Sequence, residues 1–261
     1  MGKESSKGKT KRTIVVMSGK GGVGKSTVSA NLAYNLSKRG YKVGIFDSDF
    51  HGPTIPRLMG IKNKMLDTKG DAILPVQVTP DLKVVSMEFF LPDKDSPLIW
   101  RGPMKMNMIN QLIQKVEWGS LDYLVVDLPP GTGDEPLSIA QEFKDIEGAL
   151  IVTTPQEVSL DAVRKSINFA RKLNMKILGV IENMSDFKCP HCGETIPMFG
   201  IEGGKNMSED LGVLYLGSIP LHADIVGSGE KGLPFSNQDN KSAELFNEIV
   251  EKLLEKIGDK K

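Results

Sequence analysis

The sequence predicts an α/β fold, a mostly parallel twisted sheet with helices on both faces, built around a phosphate-binding loop. Three observations carry this expectation. The apolar run Ile14–Met17 leads into a glycine-rich turn and then Lys25-Ser26-Thr27. Two further apolar runs each end in an acid, at Asp47 and Asp127. Apolar strands then alternate with amphipathic segments towards the end of the chain, the pattern of repeated βα units.

Gly19 through Ser26 fits G-x-x-x-x-G-K-[ST], the loop that wraps a nucleotide's phosphates. Glycines let backbone N–H groups converge on an anion, and the positive end of the following helix adds to the field. The ATP-binding set is therefore Gly19, Lys20, Gly21, Gly22, Val23, Gly24, Lys25, Ser26 and Thr27. Lys25 is expected to reach the β- and γ-phosphates and the Ser26 hydroxyl to ligate Mg²⁺. A rival reading exists, because Gly19, Gly21 and Gly24 also satisfy G-x-G-x-x-G with Asp47 as a ribose-binding acid. That motif gives no reason for Lys25-Ser26 or for the second strand-end aspartate.

Residues 28–39 place Leu32, Ala33 and Leu36 at helical spacing, and Gly40 stops the helix. A buried strand over 42–47 follows and ends in Asp47-Ser48-Asp49, with a proline-containing loop over 50–56. Two acids at a strand's carboxyl end are ordinary turn residues in isolation. Beside a phosphate loop, one is expected to order Mg²⁺ or its waters and the other to orient the attacking water. Residues 61–81 read as an irregular excursion or short hairpin and 82–87 as a strand. A helix over 103–116 presents Met106, Ile109, Ile113 and Val116, more a core face than a cofactor box. Trp100 and Arg101 precede it as a weak candidate partner surface. Leu121–Asp127 is the second acid-ended strand, whose Asp127 is expected to hold the Mg²⁺ shell. The Pro129-Pro130-Gly131-Thr132-Gly133 segment after it has switch character.

Further strands are expected over 148–153, 175–182 and 213–219, and helices over 159–172 and 240–257. Asn183, at a strand end, is the expected adenine contact, because the guanine-reading N-K-x-D pattern lacks its Lys and Asp. The last helix lines up Phe246, Ile249, Val250, Leu253, Leu254 and Ile257, and its opposite face mixes both signs of charge. A membrane-surface helix would be more one-sidedly basic.

Composition narrows the class. The 261 residues carry 33 Lys+Arg against 33 Asp+Glu, so no overall field argues for nucleic acid or an anionic membrane. No run approaches a membrane span and the start is not signal-like. Residues 1–12 read as a disordered basic tail, and 13–257 as one P-loop ATPase domain with a CxxC insertion near 185–200. The chain's 2 cysteines, Cys189 and Cys192, form a single C-x-x-C, which excludes a disulfide-stapled secreted scaffold and indicates a cytoplasmic protein. An iron–sulfur or zinc site needs about four ligands. Three readings of the pair compete: a redox dithiol, a monomeric site recruiting His191, His51 or His222, and a twofold dimer in which two pairs make four ligands. The dimer reading gives a [4Fe–4S] or zinc site shared across the axis.

Lys20-Gly21-Gly22-Val23-Gly24-Lys25-Ser26-Thr27 resembles the deviant phosphate loop of MinD/ParA-type ATPases. Within that group the chain resembles the Mrp/ApbC-like iron–sulfur cluster carrier ATPases, through Asp47–Pro56, Trp100–Met104, Asp127–Asp134, Cys189–Gly193 and Leu216–Leu221. The resemblance implies a P-loop NTPase homodimer that hydrolyses ATP with Mg²⁺. It further implies a labile [4Fe–4S] cluster held by Cys189 and Cys192 of both subunits and delivered to apo iron–sulfur proteins. Lys20 is then the signature lysine reaching the partner's nucleotide, so that Lys20, Lys25 and Asp49 are catalytic. Asp49 orients the water, Asp47, Asp127 and Ser26 serve the metal, and Asn183 contacts adenine. His51 stands where the family pattern suggests an aromatic, adding a titratable group near the switch. The alternatives are a positioning or partition ATPase, which leaves Cys189 and Cys192 without a task, and a zinc-bridged regulatory dimer without cluster delivery.

Overall fold

The computed structural model of the chain describes residues 9–50, 52–90, 102–143, 145–189, 191–200 and 202–259. His51, Trp100 and Arg101, assigned candidate roles above, lie outside the described residues, as do residues 1–8 of the expected tail.

In chain order the first half contains β1 (Thr10–Ser18), α1 (Lys25–Lys38), β2 (Val43–Asp47), α2 (Ile55–Leu58), β3 (Asp67–Lys69), β4 (Ala72–Leu74), β5 (Val76–Thr79) and β6 (Leu82–Ser86). Then come α3 (Gly102–Lys115), β7 (Leu121–Asp127), α4 (Asp134–Glu142), β8 (Ile146–Thr153) and α5 (Glu157–Lys172). The chain continues through β9 (Ile177–Lys188), β10 (Thr195–Ile196), α6 (Gly203–Asp210), β11 (Tyr215–Leu221), α7 (Ala223–Glu230) and α8 (Lys241–Lys256). Nine strands form one sheet in the order β10-β9-β8-β1-β7-β2-β6-β5, with β11 also paired to β9. All its neighbours are parallel except β5 with β6 and β10 with β9. β3 and β4 form a separate hairpin within the region read as an irregular excursion or short hairpin.

Alternation along β1 divides the interior. Ile14 and Val16 pack with α1 and α8 on one face, while Val15 and Met17 pack with α3 and α5 on the other. Each central strand is buried on both faces, which is why it reads as an unbroken apolar run. The final helix keeps its expected face: Phe246, Ile249, Val250, Leu253, Leu254 and Ile257 are all buried, and the Asn240 side chain accepts from the Ala243 N–H at 3.0 Å.

Four expectations shift. The tail ends sooner, because Thr10–Arg12 already pair with β7. Arg12 donates to the Ile257 carbonyl at 2.6 Å, while Lys11, still largely exposed, meets Asp122 at 2.7 Å. The loop expected through Pro56 becomes helical at Ile55, since proline suits a first turn. In α3 the buried apolar residues are Ile109 and Leu112, followed by Val116 just past its end, with Met106 and Ile113 at the margin. β9 does not stop at Asn183 but runs to Lys188, held by pairing to β11 and β10.

Candidate functional site

β1, β2 and β7 end side by side, so the loops after them share one edge of the sheet, the usual ligand edge of open α/β folds. The phosphate loop runs from β1 into α1. Gly24 takes φ 83, and a Cβ there would stand 2.1 Å from the Asn183 amide nitrogen. Only glycine satisfies both demands. At Gly19 a Cβ would sit 2.4 Å from the carbonyl carbon of Ala162, so α5 closes on the base of the loop.

The cation and the acids meet below this loop. Lys25 is 6% exposed, and its Nζ lies 2.8 Å from Asp127 Oδ1, an ionic contact off the line of a hydrogen bond. Asp127 is fully buried and accepts from the Ser26 hydroxyl at 2.6 Å and the Ser29 hydroxyl at 2.7 Å. Asp47 lies opposite Asp127 in the β2–β7 register. Its carboxylate accepts from Ser86 at 2.9 Å, from the Asp49 N–H at 3.2 Å and from the Ile55 N–H at 3.4 Å. Burial first, and the Asp127 charge second, push its carboxyl up to about 8, against the pull of Lys25. One lysine therefore faces two carboxyl groups, and the raised pKa of Asp47 favours its neutral form.

Asp49 stands half-buried at the head of the next loop and accepts from the Gly52 N–H at 3.3 Å. Lys20 is directed to its own subunit, where Nζ donates to Gln156 Oε1 at the start of α5, 3.3 Å away. The segment after β7 is tied back to the phosphate strand, as the Gly131 N–H donates to the Ser18 carbonyl at 2.9 Å.

A donor set of hydroxyl and carboxylate oxygens suits a hard cation such as Mg²⁺. Ser26, Asp127 and Asp47 supply such a set, and the two buried carboxylates hold more negative charge than Lys25 balances once Asp47 loses its proton.

Asn183 does lie beside the phosphate loop, but its amide donates to the Val23 carbonyl at 2.9 Å. Next to it is a cleft of about 330 Å³, lined by Thr27, Asn183, Met184, Pro220, Leu221 and Ile225 among others. Its apolar walls and its place beside the loop suit a flat base. Met184 and the Pro220–Leu221 pair received no site role from the sequence; the signal present was a proline immediately after a strand core. A larger recess of about 600 Å³, between residues 60–64 and 230–232, includes no phosphate-loop residue.

The cysteines occupy a different element. Lys188 pairs with Thr195 and Phe187 with Ile196, making a hairpin whose turn contains both thiols. The Cys189 N–H donates to the Glu194 carbonyl and the Gly193 N–H to the Cys189 carbonyl, each at 2.9 Å. Hydrogen bonds from the Cys192 and His191 backbone, then from the Cys192 side chain, draw the Cys189 thiol below its ordinary pKa. Cys189 is half-buried and Cys192 exposed. Among the described residues, no three His, Cys, Asp or Glu side chains are grouped to hold a metal ion. Also among them, no helix is long and apolar enough to cross a membrane.

Comparison with known proteins agrees with this geometry. The profile of the NUBPL iron-transfer P-loop NTPase family matches residues 9–255. An iron-sulfur cluster carrier protein of Methanocaldococcus jannaschii is 47% identical, over 97% of this chain and 87% of its own length. One from Saccharolobus solfataricus is 50% identical, over 94% and 83%. The cytosolic Fe-S cluster assembly factor CFD1 of Saccharomyces cerevisiae is 44% identical, over 93% and 87%. Among solved structures, a nucleotide-binding protein of Archaeoglobus fulgidus in complex with ADP superposes with a TM-score of 0.76 at 38% identity, covering 88% of this chain and 89% of that one. The septum site-determining protein MinD of Pyrococcus horikoshii, complexed with Mg-ADP, gives 0.69 at 24% identity over 93% and 95%, and shares the fold. With the phosphate loop, the paired strand-end aspartates and a profile match over nearly its whole length, the chain belongs to the NUBPL iron-transfer P-loop NTPase family.

Proposed function

We propose that the protein is a homodimeric, cytosolic ATPase that holds a labile [4Fe–4S] cluster between Cys189 and Cys192 of its two subunits and passes it to apo iron–sulfur proteins. The observation that carries this reading is the thiol pair on an exposed turn where, among the described residues, no three His, Cys, Asp or Glu side chains are grouped to hold a metal ion. Two ligands per subunit become four across a twofold axis. A cluster held at an exposed edge is suited to transfer rather than storage. The names of relatives at 44–50% identity support the cargo.

In the ATPase half, backbone amides of the Gly19–Thr27 loop cradle the β- and γ-phosphates, and Lys25 exchanges Asp127 for phosphate oxygens. Mg²⁺, when bound by Ser26, Asp127 and Asp47, would neutralise charge on the transferring phosphoryl group. Asp49 orients the attacking water. Lys20 leaves Gln156 and reaches the partner subunit's phosphates, adding positive charge where the leaving group forms. Asn183 and the cleft beside it receive the adenine. Hydrolysis then changes the packing of the two subunits and with it the grip on the cargo.

The test is anaerobic reconstitution with iron and sulfide. Wild type is expected to develop the visible absorption of the cluster and to run as a dimer in light scattering, while Cys189→Ala does neither on iron loading. Equal absorption in the two proteins overturns the cluster assignment. Zinc in place of iron and sulfide after anaerobic purification supports the regulatory dimer instead.

A further inference from the structure

β9 joins the two halves of the site. Asn183, bonded to the phosphate loop, and Cys189 are separated by five residues of one strand. The ladder with β11 is not continuous between them. Ile219 pairs with Asn183 and Leu221 with Phe187, so Pro220 alone faces Met184, Ser185 and Asp186. Proline has no N–H to give to the ladder, and two extra residues on β9 form a bulge there.

Met184 occupies this bulge with φ 55. A non-glycine residue in the left-handed region is strained and persists only where its surroundings hold it. Here the Ser185 hydroxyl staples the bulge to the Ile219 carbonyl at 3.2 Å. Beyond it the chain is fixed again: Phe187 and Lys188 pair with β10, and the Cys189 N–H is bonded to Glu194. Between anchors at Asn183 and Phe187, residues 184–186 are where β9 can bend.

The bulge also forms part of the cleft beside the phosphate loop. Met184 lines it from β9, and Pro220 and Leu221 line it from β11. A molecule in the cleft therefore touches both sides of the kink, while Asn183 feels any change in Val23 and Gly24. Only Phe187 and Lys188 lie between this bulge and the thiol turn.

We infer that Met184 is a positioning residue, whose strained bulge couples occupancy of the cleft to the geometry of the Cys189–Cys192 turn. The inference rests on the proposed reading of the cleft as the base site and the turn as the cargo site. It differs from a change of subunit packing because the connection lies within one chain.

The test uses the full-length, reduced, metal-free protein. Rates of iodoacetamide alkylation at Cys189 and Cys192 are measured by mass spectrometry, with and without saturating MgADP. Light scattering selects a protein concentration at which the assembly state is the same in both. In wild type MgADP is expected to change the rate by about fivefold or more, within the usual range of coupling between sites. In Met184→Gly the ratio falls to about one at saturating MgADP, because glycine adopts this φ without strain and has no side chain in the cleft. A purely structural role would lower the thermal midpoint and leave the ratio intact. Should glycine loosen the strand as a whole, Ser185→Ala, which removes only the staple, is read in the same way. A wild-type ratio of one, or an unchanged ratio in the variants, overturns the inference. Failed reconstitution with iron and sulfide overturns the cargo reading instead, whatever the alkylation rates show.

Discussion

Replacing Asp47 with asparagine tests whether the buried acid cluster carries a proton. Asp47 is fully buried, and its carboxyl is raised from 3.8 to about 8 by burial and by Asp127. Between those values the unfolded chain is ionised at this residue while the folded chain keeps the proton. The associated stability is fully present below about pH 4 and is lost as pH rises towards 8, at about 1.4 kcal/mol per pH unit. Asparagine has no such proton. The unfolding free energy of Asp47→Asn, relative to wild type, is therefore expected to gain about 2.7 kcal/mol between pH 5 and pH 7. Ser86, Asp49 and Ile55 all donate to this carboxylate, so an amide NH₂ at one position mismatches a donor. That mismatch is a constant offset of about 1–2 kcal/mol at every pH and leaves the slope alone. Titrations of groups away from this cluster cancel in the difference. Urea unfolding followed by circular dichroism, at three pH values without nucleotide or divalent cation, measures it. Parallel stabilities for the two proteins across that range would mean that Asp47 is ionised in the fold, and the reasoning about the cluster fails.

Three further outcomes are expected. Gly24→Ala forces a left-handed alanine against Asn183, and titration calorimetry should show ATP affinity reduced by about tenfold or more. Lys25→Ala abolishes ATP turnover while sparing cluster assembly in vitro; full turnover in that variant defeats the phosphate-loop assignment. Asp259 accepts from Tyr41 at 3.3 Å and from the buried Tyr123 hydroxyl, and lies 3.9 Å from the Arg12 guanidinium. Asp259→Ala should cost about 1.5–3 kcal/mol, a drop of roughly 3–6 °C in a melting scan, with nucleotide affinity unchanged.

The legible parts of the chain were those whose signal is local. Apolar runs ending in Asp47 and Asp127 are buried parallel strands, and the loop between β1 and α1 carries its own glycine pattern. α8 was readable because its apolar face persists over four turns between a capping asparagine and a glycine. Elements supported by distant contacts were not. The second half of β9, Met184-Ser185-Asp186-Phe187-Lys188, mixes polar residues without clean alternation, and its extended form comes from β11 and β10. α4 is obscured by Pro136, and α6 and α7 are short and carry glycines. At the site, residue types announced the phosphate chemistry. The closeness of Asn183 to Gly24, the raised pKa of Asp47 and the cleft beside the phosphate loop all depend on which strand ends lie together. No spacing within the chain encodes that.

The split interior along β1 protects the catalytic loop from drift. Successive residues Ile14 to Met17 belong to alternate sides of the sheet. Sliding this strand by one position would turn every one of them towards the wrong layer, and would swing the glycines that follow by half a turn. Insertions or deletions upstream of Gly19 thus meet resistance from two independent hydrophobic layers at once. The aim of the phosphate loop is fixed by bulk apolar packing on both sides, which Val23 within the loop itself joins.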